Sequence, residues 1–202
     1  MSGLNDMLDG LILNRTPHIK LYNEIKASEV QPVERSDSFK SAYNFVQSVK
    51  PSLSKIELHN SGAIMAALKN DNRVLGFAPK ITAQVFYNVG AIDLTGVING
   101  IDVEAENKLF YFSDYVTAGN YYDLKNIPNS IILGKGAADK MLANIGDVIQ
   151  VTTARGDRMQ LKVVGFFQSG LADLDKVQSY ASIATAQKLL AKPNSYITDI
   201  QI

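Results

Sequence analysis

A hydrolytic triad needs a base that is oriented by a carboxylate and faces a nucleophile. This chain has two histidines, His18 and His59, and no cysteine. His18 directly follows Pro17, and no Gly-x-Ser-x-Gly elbow is present to pair with it. Both histidines read as surface or strand-end residues, and they are too far apart in sequence to suggest a metal site. The lack of cysteine removes disulfides, thiolate zinc sites and cysteine nucleophiles together. Carboxylates pair at Asp173-Leu174-Asp175, and Asp71 with Glu57 is a looser candidate. Acid–base work needs two carboxylates whose environments push their pKa values apart. Short aspartates in a turn instead bond their own backbone, and Asp173 and Asp175 read that way. Gly134-Lys135-Gly136 lacks the Gly-x4-Gly-Lys-Ser/Thr order of a phosphate loop and reads as a tight strand-to-helix connection. We expect no catalytic, cofactor or metal site, and a chain that is not an enzyme.

Two groups of residues can bind rather than react. Arg155, Gly156 and Asp157, with Arg158 beyond them, form the tip of a predicted hairpin, where Gly156 supplies the positive φ of a tight turn. The tripeptide resembles an adhesion sequence, but the turn requirement explains it. The second group is aromatic. Tyr111, Phe112, Tyr115, Tyr121 and Tyr122 crowd one irregular stretch, next to Phe110. Two readings stand: core packing with each hydroxyl reaching a partner, or a surface for an apolar or amphipathic ligand or for another subunit.

The elements that must hold these groups follow from periodicity. Leu4, Met7, Leu8, Leu11 and Ile12 make an amphipathic helix over 2–14. It either packs on this domain's own core or ends a longer helix leaving a membrane. A strand is predicted over 18–25, a polar loop over 26–38, a helix over 39–49 and a short strand over 56–59. Ser61 is expected to cap a helix over 62–69 that buries Ile64, Met65 and Leu68. Two strands, 74–77 and 81–87, are separated by Pro79, with a turn at Gly90 and a strand over 97–103. The segment 104–130 reads as irregular. Then come a buried strand over 131–133, a helix over 136–142, a Gly146-Asp147 turn, hairpin strands 148–153 and 160–167, a strand over 180–183, a helix over 184–190 and a last strand over 196–202. Strands and helices mix without regular βαβ alternation, so the fold class is α+β.

The 202 residues are 46% hydrophobic and 20% charged, with twenty basic residues against twenty acidic ones. A balanced charge and the lack of a basic stripe exclude a general nucleic-acid binder. No apolar run approaches the roughly 18 residues that span a bilayer. The start lacks a basic n-region and carries Asp6 and Asp9, so no signal peptide is read. The chain is expected to be soluble as it stands, with any membrane anchors cut away.

Taken in order, several segments resemble one family. SGLNDMLDGLILNRTPHI is similar to a helix leaving a first transmembrane segment and entering a first strand. AIMAALKNDNRVLGFAPKI, GVINGIDV, TAGNYYD before IILGKGAADKM, NIGDVIQV and VVGFFQSGLADLDKVQSYASIATAQKLL follow in the family's order. The chain resembles the extracytoplasmic core domain of ABC-transporter permeases of the lipoprotein-releasing (LolC/LolE) and macrolide-exporter (MacB) type, the FtsX-like permeases.

That resemblance implies a two-part domain: a porter subdomain of mixed helices and strands from 1–107 and 166–202, and a β-rich sabre subdomain from 108–165 inserted between them. It implies a place in the periplasm or outside the cell, on a permease of the bacterial cytoplasmic membrane. The partners would be the chain's own transmembrane helices, a cytoplasmic ATPase subunit, a second permease subunit and a periplasmic protein. The work would be mechanotransmission, coupling ATP hydrolysis elsewhere to export or extraction of an amphipathic substrate such as a lipoprotein. The alternative is a signalling module that regulates a partner such as a cell-wall hydrolase. Arg155, Asp157 and Arg158 would touch a partner, and the aromatic patch would face substrate or the second subunit. Gly119, Gly134, Gly146, Asp147 and Gly165 would be structural. The sequence departs from the pattern in three places. The hairpin connection between Val151 and Leu161 is short, which argues against docking a lipoprotein carrier. The segment 26–60 is longer than usual. The chain stops after YITDIQI, so the last strand is expected to have an open edge.

Overall fold

A computed structural model of the chain describes residues 16–25, 32–39, 43, 56–90 and 92–202. Among them the strands are β1 (Lys20–Tyr22), β2 (Ala78–Val89), β3 (Ile92–Ile101), β4 (Val116–Gly119), β5 (Ser130–Gly134), β6 (Val148–Thr153), β7 (Arg158–Phe167), β8 (Gln178–Ser182) and β9 (Asp199–Gln201). The helices are α1 (Ser61–Lys69), α2 (Val103–Phe110), α3 (Asp123–Asn126), α4 (Lys135–Met141), α5 (Ala172–Asp175) and α6 (Ile183–Leu189). The helices 2–14 and 39–49 predicted above fall outside the described residues, apart from Phe39 in a turn and Tyr43.

The strands form one hydrogen-bonded sheet in the order β1-β9-β2-β3-β8-β5-β7-β4, with β6 pairing both β2 and β7. Most pairs are antiparallel, whereas β3–β8 and β5–β7 are parallel. The mixed sheet with short helices is the expected α+β class. The longest ladder joins β2 to β3, from Lys80↔Ile101 to Val89↔Ile92, and turns at Gly90 with φ +59°.

Alternation along β5 builds the core. Successive side chains of a strand point to opposite faces. Ile131 and Leu133 enter one cluster with Tyr87, Ile98, Met141 and Leu161. Ile132 enters a second cluster with Ile101, Phe112, Val164 and Phe167. All three β5 side chains are fully buried, and each stabilises the fold by roughly 1.5–3 kcal/mol relative to exposure. A bulge in β7 serves both clusters: Ile131 pairs with Val163 and Ile132 with Gly165, which leaves Val164 as the extra residue.

The segment 104–130, read as irregular, is largely ordered. Asp102 does not extend a strand; it caps α2, its Oδ1 accepting from Glu104 N at 3.1 Å and Ala105 N at 3.0 Å. Glu104 and Glu106 then occupy the first turn, where the helix dipole favours them. A 3-10 turn (Phe112–Tyr115), β4 and α3 follow.

Other expectations need correction. Residues 56–59 form no strand, although Leu58 N donates to Ile197 O at 2.8 Å. Ser61 does not cap α1: Asn60 holds the cap position at φ 56°, and Ser61 Oγ donates to Ser195 O at 3.1 Å. Ile64, Met65 and Leu68 are half-buried rather than buried. Residues 74–77 are not a strand. β2 instead runs through Pro79, which is tolerated because the ladder to β3 begins one residue later, at Lys80. Finally, β9 has no open edge: β1 pairs with it on one side and β2 on the other.

Candidate functional site

The hairpin tip is held by one buried threonine. Thr153 Oγ1 accepts from Arg155 N at 3.3 Å and from Asp157 N at 3.2 Å. Thr153 N donates to Asp157 O at 2.8 Å, and Gly156 N donates to Thr153 O at 2.9 Å. Gly156 takes φ +93°, which its missing Cβ permits. The backbone is therefore fixed from below while Arg155, Asp157 and Arg158 stay exposed.

The tip faces two hollows. Arg155 and Asp157 line a groove of about 710 Å³ whose floor includes Ala83, Val97, Leu190 and Tyr196. Burial and Glu57 push the Tyr196 phenol up, while Arg155 pulls it the other way. Arg158 lines a second hollow of about 540 Å³, together with Phe86, Asn88 and Asp93. The two arginines thus serve different hollows, and Arg155 combines with an apolar floor. Such a groove can hold an amphipathic segment, and its charged lining is balanced, with Arg155 and Lys192 against Glu57 and Asp157.

The aromatic stretch is divided by the fold. Phe112 is only 4% exposed and packs on Tyr180, with ring centroids 4.7 Å apart. It is a core residue. Tyr115 and Tyr121 are half-buried. Asn107 Nδ2 donates to the Tyr121 hydroxyl at 3.2 Å, and the Tyr121 ring meets Tyr122 edge-on at 5.4 Å. Tyr111 is exposed, in a left-handed conformation that ends α2.

The Tyr122 hydroxyl donates to Glu104 Oε1 at 2.5 Å, and Lys125 Nζ lies 2.6 Å from the same oxygen. Lys125 and Tyr122 hold the Glu104 carboxyl below its usual range, and Glu104 in turn raises both partners. Tyr121 and Tyr122 are therefore tied to α2 as a surface pair.

The remaining candidates have structural partners. Asp175 is buried and its Oδ1 accepts from Ser169 N at 2.7 Å, while Asp173 pairs with Lys176 at 3.1 Å. Asp71 pairs with Arg73. His18 and His59 are exposed. Among the described residues no three His, Asp or Glu side chains gather as a metal site would require. Gly119 has φ +83°, and a Cβ at Gly134 would run into the Asp175 carbonyl. Asp147 closes its turn by accepting from Asn144 N at 2.7 Å.

Sequence reasoning missed the apolar floor of the groove, whose residues come from distant segments. It also missed the exposed Leu142, Ile145 and Val148, which are 79%, 48% and 60% exposed.

The sequence matches the family of MacB-like periplasmic core domains over residues 27–202. It is 28% identical over 131 residues to the lipoprotein-releasing system transmembrane protein LolC of Neisseria meningitidis serogroup B, covering 60% of this chain and 31% of that protein. The chain thus spans about a third of the length of that relative. In fold it is similar to the extracellular domain of the noncanonic ABC-type transporter YknZ from Gram-positive bacteria, with TM-score 0.54, 14% identity and 73% of each chain covered. The periplasmic region of MacB from Actinobacillus actinomycetemcomitans aligns with TM-score 0.49 and 16% identity, covering 68% of this chain and 61% of that one. No helix among the described residues is long and apolar enough to cross a membrane. With its α+β sheet and a match over most of its length, the chain belongs to the family of MacB-like periplasmic core domains of ABC-transporter permeases.

Proposed function

We propose that this chain works outside the cytoplasmic membrane as the mechanical arm of an ABC-transporter permease. A cytoplasmic ATPase subunit supplies the energy, and paired permease subunits move an amphipathic substrate such as a lipoprotein. The division into a porter part (1–107 and 166–202) and a sabre part (108–165) belongs to the same proposal. The observation that carries this reading is the course of β2. Its first residues pair with β9 and its last with β6, the strand that leads to the Arg155–Arg158 tip. Thr153, at the base of the tip, pairs with Val85, so one strand carries the ladder to β9 at Ala78–Lys80 and the ladder to the tip a few residues further on, which supports a displacement at β9 being passed to the tip. The groove beside Arg155 is then the contact for a partner or an amphipathic cargo, and Tyr121 with Tyr122 is a surface for substrate or the second subunit.

The test is ATP-driven release of an acylated peptide from proteoliposomes that carry the full permease and its ATPase. Release is expected, and Arg155→Ala or Tyr122→Ala is expected to reduce it without changing ATPase assembly. If no acylated cargo moves while the domain captures a cell-wall hydrolase, the signalling reading replaces this one.

A further inference from the structure

One face of the sheet is open where β3, β2, β6 and β7 run side by side. Val85, Tyr87 and Val151 enter the core, so their neighbours Phe86, Asn88 and Thr152 point the other way. Phe86 pairs with Thr152, and Thr152 with Arg158. Asn88 pairs with Asp93 on one side and with Gln150 on the other. These six side chains line the hollow of about 540 Å³. Its centre is fixed: Thr152 Oγ1 donates to Asn88 Oδ1 at 2.8 Å, and Asn88 Nδ2 donates to Asp93 Oδ1. Its two ends are not. Asp93 Oδ2 and the Arg158 guanidinium have no partner among the described residues, and they form no ion pair with each other.

The hollow therefore presents a negative end on β3 and a positive end on β7, with β2 and β6 between them. A ligand that complements both carries an ammonium at one end and an anionic group at the other. Three strand spacings separate β3 from β7, roughly 14 Å, and the long arginine side chain shortens the span that a ligand must bridge. Two or three extended residues, at roughly 3.4 Å each, match it. The middle of the hollow agrees with a peptide. Asn88 and Gln150 offer side-chain amides, which both donate and accept, and Thr152 adds a hydroxyl. Phe86 is the one apolar side chain in the lining and is 41% exposed, a seat for an apolar side chain. We propose that this open face binds a short linear peptide of two or three residues with both termini free, its ammonium at Asp93, its carboxylate on the Arg158 guanidinium and its amides over Asn88 and Gln150. Arginine suits the carboxylate because its planar fork can bond both oxygens. The site is separate from the groove beside Arg155 and stands whether or not the transport reading holds.

The test is chemical-shift titration of the 202-residue chain with Ala-Leu-Ala as the probe. Saturable binding near millimolar Kd is expected. Acetylating the peptide's amine or amidating its carboxylate should each weaken binding about tenfold, the worth of one hydrogen bond between charged groups. Each cap has a matching variant. Arg158→Gln should bind the free acid and the amide equally, and Asp93→Asn should bind the free and acetylated amines equally. Both side chains are exposed, so both variants should fold. The proposal is overturned by no saturable binding up to about 20 mM, or by either cap or its matching variant leaving the affinity unchanged. It is also overturned if glycerophosphoethanolamine binds more tightly than the tripeptide, which would give the hollow to a lipid headgroup.

Discussion

The Tyr87 hydroxyl lies 2.7 Å from Ser179 Oγ, joining β2 to β8 across the intervening β3. The ring passes over β3 at Gly96, where a Cβ would lie 2.7 Å from Tyr87 Cζ and 2.8 Å from its hydroxyl oxygen. Burial pushes this phenol up, so it stays a donor at any physiological pH. Tyr87→Phe should cost about 1 kcal/mol, the net worth of one hydrogen bond. Gly96→Ala should cost more, about 1–3 kcal/mol, because the ring must shift within a packed core. Urea unfolding of the two variants measures both, and a neutral Gly96→Ala would contradict the crossing.

The Lys80–Glu106 pair should behave as a buried ion pair. Lys80→Met or Glu106→Leu alone should destabilise by about 3–5 kcal/mol, because each leaves an uncompensated charge. The double variant should recover most of that loss. Burial draws the Lys80 ammonium down, but Glu106, Tyr180 and Asp199 outweigh it and hold it above its usual value. A raised lysine contributes its full stability below the unfolded value of 10.5 and loses it as pH climbs through the folded value. The pair's contribution is thus intact at neutral pH and fades only in strong alkali. Denaturation midpoints from pH 7 upward test the sign.

Asp71 offers the opposite sign at the surface. Arg73 bonds both oxygens of its carboxylate, at 3.0 and 2.7 Å, and lowers its pKa from 3.8 to about 2. Whatever the pair contributes is present above pH 3.8 and lost as pH falls toward about 2. Carboxyl-carbon NMR should place the Asp71 midpoint near 2 and return it toward 3.8 in Arg73→Ala.

The tip arginines should matter to partners and not to folding. Both are exposed, so Arg155→Ala with Arg158→Ala should change stability by less than about 0.5 kcal/mol. Partner capture by the permease should fall, and the association rate of the unmodified protein should drop with salt, as rim charges require. Thr153→Val should act in reverse: it removes the acceptor for Arg155 N and Asp157 N, loosening the tip while sparing its charges. Faster hydrogen exchange at Asp157 would report this.

The stretch from Ser130 to Leu189 was legible because its signals are local. A run of buried aliphatic residues, the Gly146-Asp147 turn and Gly156 in the tip each mark a boundary, and the expected strands and helices lie within two residues of the observed ones, whereas the short helix α5, read as a turn at Asp173 and Asp175, was missed. The α2 region was not. Asp102 follows GVINGI without a break, so its role as a cap looked like one more strand residue, although the glutamates after it were the readable sign. Pro79 suggested a gap because a proline removes a ladder donor, yet its neighbour in register is the short β9. In the site, the tip could be read from Gly156. The groove could not, since Ala83, Leu190 and Tyr196 meet only when β2 is laid beside the end of α6 and the segment after it. Composition likewise did not separate Phe112, sealed in the core, from Tyr111 on the surface.

The pairing of Lys20 with Gln201 sets how this domain tolerates force. Backbone bonds between Ile19 and Ile202, at 3.1 and 2.9 Å, lock the two strands at one end of their ladder. Traction that splays these two points apart would peel the ladder open bond by bond, its weakest loading direction. Traction that carries both the same way loads no rung. A load applied through β1 and β9 would therefore be borne well in swinging the domain as a unit and poorly in stretching it.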